Sequence, residues 1–236
     1  MVYSFQTMKA IILAAGKGTR MGDLSIDTPK PMLKVLGKTL LEHKLDSLPK
    51  EISEVIIVVG HLKNVVTDFL GENYNNKKIT YVVQNELLGT AHAIFLCKDL
   101  LIQNSSEKFL VLMGDDIYSK EDMEECLKNG WAIGVREADS IKGRSKVVFD
   151  SSGHISEIIE KFPEEEAGFT GTGMYCLTPK IFDYEMVKIP GGEYGLPQTI
   201  LSAKKDIPIK AVQSRFWLQI TAPEDLKIAE TFLSFE

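Results

Sequence analysis

The sequence predicts an α/β fold built on a buried, mainly parallel sheet, and three observations carry the prediction. Apolar runs and helical patterns alternate through the first half of the chain, as expected for strands buried on both faces and connected by helices. In the second half, short strand-like runs follow one another through turns rather than helices, which extends the sheet in a mixed sense. Finally, 236 residues are enough to bury a sizeable core in one large α/β domain.

Taken in order, residues 9–14 read as the first strand and lead into a glycine loop. Residues 40–48 read as a helix ending at Pro49, and Val55-Ile56-Ile57-Val58-Val59 as a second buried strand, followed by a helix through about Leu70. Ile79–Val83 is the third strand, and a helix is expected from about Thr90 to Leu101. Phe109–Met113 is the fourth strand, stopping at Gly114-Asp115-Asp116. Strands are expected at 131–136, 146–149, 155–160 and 172–177, then a helix near 196–205 and a strand near 207–212. A last helix follows Thr221, with that threonine as cap, Pro223 in the first turn and Glu224 three places on. Met1–Thr7 reads as an N-terminal extension, and residues 8–236 as one domain with halves at about 8–118 and 119–236.

An apolar share of 44% and a charged share of 25% are those of an ordinary soluble globular protein. The net charge of -6 speaks against a nucleic-acid binder, which carries a basic face. Cys97, Cys126 and Cys176 are odd in number and form no C-x-x-C pair. That fits buried thiols in a reducing cytoplasm and excludes a disulfide frame. His43, His61, His92 and His154 lack metal-ligand spacing. No apolar run approaches the ~18 residues that a membrane span needs.

Chemistry is concentrated in Leu13-Ala14-Ala15-Gly16-Lys17-Gly18-Thr19-Arg20-Met21, with Thr28-Pro29-Lys30-Pro31 shortly after. Small residues bring backbone N–H groups close to phosphate oxygens, while Lys17, Arg20 and Lys30 add positive charge. The reading is a triphosphate cradle. A dinucleotide fingerprint and a P-loop are both excluded, because Met21 stands where the third glycine of the first would be, and no Gly-Lys-Ser/Thr follows at the spacing of the second. Gly114-Asp115-Asp116 ends a strand at the sheet edge where open α/β sheets bind ligands. Alternatively, either aspartate caps the helix after Tyr118.

The loop and its Pro-Lys-Pro tail resemble the L-A/G-A/G-G-x-G-T-R-[ML]…P-K motif of the nucleoside-diphosphate-sugar pyrophosphorylases, the sugar-phosphate nucleotidylyltransferases. The resemblance covers the chain from Met8 and implies a Rossmann-like three-layer α/β/α sandwich with a mixed, mainly parallel sheet. It implies catalytic roles for Arg20 and Lys30 on the phosphates, nucleotide contacts along Leu13–Thr19, and Mg²⁺ on Asp115. Gln84-Asn85-Glu86-Leu87-Leu88-Gly89-Thr90-Ala91-His92-Ala93 resembles the family's base-reading segment, which makes Gln84, Gly89 and Thr90 nucleotide ligands. An amide donates and accepts, which suits a uracil or thymine edge. Gly114, Glu160-Lys161, Thr172-Gly173 and Glu193 resemble sugar-phosphate elements, while Glu164-Glu165-Glu166 reads as a solvated turn.

Two departures stand out. Trp217-Leu218-Gln219-Ile220-Thr221 carries Gln219 where many relatives have a second metal aspartate, so metal binding should lean more on the nucleotide. Ser145-Lys146 replaces the Tyr-Gly of relatives and sets a cation beside the acceptor. The chain ends at Glu236 with no hexapeptide-repeat domain, so a single activity is expected rather than a bifunctional one. The resemblance therefore implies a Mg²⁺-dependent enzyme that joins NMP from UTP or dTTP to a sugar 1-phosphate. The cysteine usage, net charge and lack of a long apolar run add the expectation of a cytoplasmic protein without nucleic-acid or membrane partners. Two further readings stay open: a cytidylyltransferase acting on choline or inositol phosphate, and a catalytically weak nucleotide-sugar-binding regulator. The sequence leaves monomer or homo-oligomer unresolved.

Overall fold

The computed structural model describes residues 8–102 and 108–234; the expected extension Met1–Thr7 lies outside them. In chain order the elements begin with β1 Met8–Ala14, the tight pair β2 Lys34–Val35 and β3 Lys38–Thr39, α1 Leu40–Ser47 and β4 Ile52–Val59. Next come α2 Lys63–Leu70, β5 Asn73–Tyr74, β6 Lys77–Val83, α3 Thr90–Phe95, α4 Lys98–Leu101 and β7 Phe109–Met113. They continue with β8 Ile117–Tyr118, α5 Lys120–Leu127, β9 Ala132–Ala138, β10 Lys146–Phe149, β11 Ile155–Ile159 and β12 Gly168–Leu177. The chain closes with α6 Leu196–Ser202, β13 Lys210–Gln213, β14 Trp217–Leu218 and α7 Pro223–Leu233.

The fold is α/β and Rossmann-like, on an eight-stranded sheet in the order β13-β9-β12-β7-β1-β4-β6-β5. Its pairings are mixed and mainly parallel: β1 with β4, β4 with β6 and β13 with β9 run parallel, whereas β12 with β9 and β5 with β6 run antiparallel.

Two compact units divide the chain. The first takes residues up to Leu87, Leu112–Lys120 and everything from Trp217. Its centre is β1, where Ala10, Ile11 and Ile12 are fully buried and Ile12 sits opposite Ile57 of β4. Strands so apolar on both faces need cover above and below, which is why their runs are continuous rather than alternating. α1 starts on a capping box: the Thr39 hydroxyl accepts from the Glu42 N–H at 3.0 Å, and the Glu42 carboxylate accepts from the Thr39 N–H at 2.8 Å.

The second unit holds Leu88–Val111 and Glu121–Phe216. Here β10 and β11 form an antiparallel pair with Val147 opposite Ile158, in line with the expected turn-joined strands. Asp122, buried at the start of α5, accepts from the N–H groups of Arg215 and Phe216 at 2.9 and 3.1 Å.

Some expected boundaries are corrected. The helix over 90–101 breaks at Cys97, whose N–H bonds Ile94 rather than Ala93, so the turn tightens and α4 starts anew. The helix near 196–205 ends at Ser202, because Ala203 and Lys204 donate three residues back, to Ile200 and Leu201. The strand near 207–212 forms only at 210–213. Thr221 does not cap α7. Ala222 holds that position, and Asp225, not Glu224, takes the free N–H groups of Thr221 and Ala222 at 2.6 and 2.8 Å.

Candidate active site

The glycine loop follows β1 directly. Gly16, Lys17, Thr19 and Arg20 are exposed, and a 3-10 turn over Thr19–Ser25 begins from Gly18 in the left-handed region (φ 65°). Ser25 closes this turn by donating to the carbonyls of Gly18 and Gly22 at 3.0 and 3.1 Å. Leu13, Ala14 and Ala15 are buried beneath it. The loop therefore offers N–H groups and two exposed cations above a buried base, the arrangement that anions favour.

Lys30 is different from the other loop cations: it is only 6% exposed. Its ammonium donates to the Asp115 carboxylate at 2.5 Å and to the Ile220 carbonyl. Asp115 is brought there by Gly114, whose N–H bonds the Leu13 carbonyl at 2.9 Å and where a Cβ would lie 2.6 Å from that oxygen. Only glycine allows that approach. Neither aspartate caps the following helix. Asp116 is 5% exposed and accepts from Trp217 Nε1 at 3.0 Å, as β14 pairs antiparallel with β8. Burial, aided by the Asp115 charge, pushes the Asp116 carboxyl up to about 7 against the pull of Trp217 and Lys44. Lys44 donates to the Asp116 carbonyl, and burial pushes its ammonium down to about 8 although Asp116 and Asp115 oppose this.

Gln84 directly follows β6, its N–H donating to the Val59 carbonyl at 2.8 Å. It lines a cleft of about 270 Å³ together with Lys17, Gly60, His61, Lys63, Val83, Asn85 and Leu87. The ends of β4 and β6 thus frame a hollow beside the glycine loop, at the carboxyl edge of parallel strands where ligands of open sheets lie. Gly60-His61 was not anticipated from the sequence, although its place after a buried parallel strand is the same signal that marks Gly114.

The donor chemistry suits a nucleotide-borne cation. Asp115 offers one partly exposed carboxylate and Gln219 one exposed amide, and among the described residues no group of three or more His, Cys, Asp and Glu gathers. Mg²⁺ is commonly held by one or two carboxylates plus substrate phosphates and water, so this set fits it.

The remaining predicted residues lie in the second unit. Gly89 has φ 100°, and a Cβ there would sit 2.5 Å from the Tyr194 carbonyl. Tyr194 donates to the Leu88 carbonyl at 2.7 Å and the Thr90 hydroxyl accepts from the Leu196 N–H at 3.0 Å. The Gly89-Thr90 and Gly192-Glu193 segments are thereby joined. Glu160 and Lys161 are exposed; Glu160 accepts from Gln198 at 3.2 Å. Lys161 takes a left-handed backbone (φ 51°), rare for a non-glycine residue, just before Phe162, whose N–H donates to the Arg144 carbonyl and whose carbonyl accepts from the Gly143 N–H.

Thr172 is buried beside Gly173 on β12. Lys146 donates to the Glu166 carboxylate and lies 4.3 Å from the Phe162 ring centroid. Glu166 therefore does more than line a solvated turn, a correction to the sequence reading. Ser145 accepts from the Gly171 N–H at 3.1 Å and bonds the Thr170 hydroxyl. A larger cleft of about 450 Å³, lined by residues such as His154, Ser156, Lys204 and Lys205, contains none of the predicted residues.

Comparison with known proteins gives this geometry a family. The chain is 33% identical over 97% of its length to the UTP–glucose-1-phosphate uridylyltransferase AglF of Haloferax volcanii, covering 98% of that protein. It is 31% identical over 96% of its length to the bifunctional protein GlmU of Methanocaldococcus jannaschii, spanning 54% of that longer chain. Among solved structures, a protein from Bacillus anthracis described as a glucose-1-phosphate thymidylyltransferase, in complex with sucrose, superposes with a TM-score of 0.82 at 26% identity, covering 96% of this chain and 95% of that one. Residues 9–198 match the sequence model described as nucleotidyl transferase. With four-fifths of its length so matched, the chain belongs to the nucleotidyl transferase family.

Proposed function

We propose that the protein is a sugar-1-phosphate nucleotidylyltransferase that uses UTP or dTTP and Mg²⁺ and works in a reducing cytoplasm. The observation that carries this reading is the Lys30–Asp115 pair, held at 2.5 Å beside the glycine loop. A buried ammonium and a partly exposed carboxylate are the two kinds of group that a triphosphate and its cation need, and this supports the reading. The reaction asks for alignment and charge neutralisation more than covalent chemistry. A phosphate oxygen of the sugar 1-phosphate attacks the α-phosphorus of the nucleotide, its bond to pyrophosphate breaks, and pyrophosphate leaves with the electron pair.

In this reading the loop N–H groups from Ala15 to Thr19, with Lys17 and Arg20, hold the outer phosphates. Lys30 stabilises the charge that gathers on the α-phosphate, where a preorganised donor is most effective. Asp115 and Gln219 would hold Mg²⁺, which would supply charge neutralisation to the triphosphate when bound. Gln84 reads the pyrimidine edge from the cleft it lines. On the acceptor side Lys161 meets the sugar phosphate, and Gly114, Glu160, Thr172, Gly173 and Glu193 orient the sugar. Lys146, engaged with Glu166, shapes that pocket. Three free, buried thiols accord with the compartment.

The test is pyrophosphate release from each nucleoside triphosphate against a panel of sugar 1-phosphates, with choline and inositol phosphates included. Turnover with UTP or dTTP and a sugar 1-phosphate is expected, and EDTA should abolish it. Turnover with CTP and a phospho-alcohol alone would overturn the reading.

A further inference from the structure

Lys44 is 1% exposed and lies outside the machinery assigned above. It sits on α1 four residues after Leu40, on the same stripe as the fully buried Leu40, Leu41 and Leu45. That is a position where an apolar side chain is the ordinary choice. Its ammonium donates to the Asp116 carbonyl and stands 4.9 Å over the Tyr118 ring centroid. From the other side, the Asp116 carboxylate is held by Trp217 Nε1. One residue back, Asp115 meets Lys30. The turn Gly114-Asp115-Asp116 is thus clamped by two buried ammonium groups, one beside each aspartate.

Stability alone is a poor account of this arrangement. Burying an ammonium carries a desolvation cost that its partners seldom exceed, and apolar replacement of buried ion pairs is often neutral or stabilising. What the lysine uniquely provides is a long, charged donor that reaches a main-chain carbonyl next to Asp115.

We propose that Lys44 is a positioning residue: by gripping the Asp116 carbonyl it fixes the turn that carries Asp115 against Lys30. The inference rests on the reading that Asp115 and Lys30 serve the triphosphate. Lys44 touches no substrate and acts through Asp115.

The test is a double-mutant cycle in the full chain, with Lys44→Met alone, Asp115→Asn alone and both together. Lys44→Met is expected to keep or raise the melting temperature and to lower kcat by ~10-fold while KM for the sugar 1-phosphate stays within ~2-fold. In the Asp115→Asn background the same substitution should have almost no further effect, since residues acting as a unit are non-additive. Equal losses in both backgrounds, or a lower melting temperature with kcat unchanged, would overturn the proposal. If Lys44→Met does not fold, Lys44→Leu, which likewise removes the donor, takes its place in the cycle. The same cycle run on the affinity for UTP with Mg²⁺, by calorimetry, separates the two claims. A wild-type protein inactive on every sugar 1-phosphate defeats the functional reading, and the affinity cycle still decides the role of Lys44.

Discussion

Lys30 draws together residues far apart in sequence, since Asp115 lies 85 positions away and Ile220 lies 190. A cation so placed is costly to lose, because its removal leaves Asp115 without its ion-pair partner and the glycine loop without the buried ammonium beside it. Lys30→Ala should lower kcat/KM for pyrophosphate release by about 10²–10³, the usual loss for one preorganised donor. Asp115→Asn should fall in the same range and raise the Mg²⁺ concentration needed for half-maximal rate. The cysteines lead to a different expectation. Burial pushes the Cys97 and Cys176 thiols up to about 12 and Cys126 well above its ordinary value. All three should be silent to a thiol reagent at pH 8 in the native protein and react together on unfolding, because the thiolate is the reactive form. Lys30 and Asp115 could be singled out from residue type and order alone. Lys44 could not, since a lysine on an apolar stripe reads as a helix surface residue until the Asp116 carbonyl is found above it.

Helix α1 owes its start to Thr39 and its outer face to Asp46. Thr39→Ala removes a cap whose loss costs about 1 kcal/mol, which a denaturation curve would register as a lower midpoint. Asp46 accepts from Lys38 at 2.6 Å, Tyr74 at 3.1 Å and Asn75 at 2.8 Å. Partial burial raises its carboxyl, but those hydrogen bonds and the Lys38 charge prevail and hold it below the ordinary value. A carboxyl depressed in the folded state contributes stability at neutral pH that is lost as pH falls through the folded value. The stability gap between wild type and Asp46→Asn should therefore be constant near neutrality and close below about pH 4. At this scale the sequence located strands better than helix ends. Continuous apolar runs such as β4 declare themselves, whereas the break at Cys97 and the Asp225 cap depend on single hydrogen bonds. A threonine two residues ahead of a proline is a familiar helix start, but the side chain that reaches the free N–H groups, Asp225, lies one residue beyond Glu224.

Taken whole, the molecule keeps its mainly parallel strands and its glycine loop in a first unit made of three separate chain segments. A ligand that binds only the folded protein stabilises it by mass action, by about 2.7 kcal/mol at a hundredfold excess over Kd. UTP with Mg²⁺ should therefore raise the melting temperature, and UTP with EDTA should raise it less, as scanning calorimetry would measure. Alternation of strand and helix was enough to foresee the α/β class. The three-part composition of the first unit was not legible, because nothing in the local pattern of Trp217–Thr221 says that it must pair beside Ile117–Tyr118. That pairing also sets a schedule for synthesis. The Ile220 carbonyl that accepts from Lys30 emerges 190 residues after it, about 10–40 s later at ordinary translation speeds. During that interval the nascent chain carries the glycine loop without the backbone carbonyl that anchors Lys30. A ribosome-bound chain ending at Phe216 should accordingly fail to retain nucleotide, so that the capacity to bind UTP arises only once the stretch through Ile220 has been made.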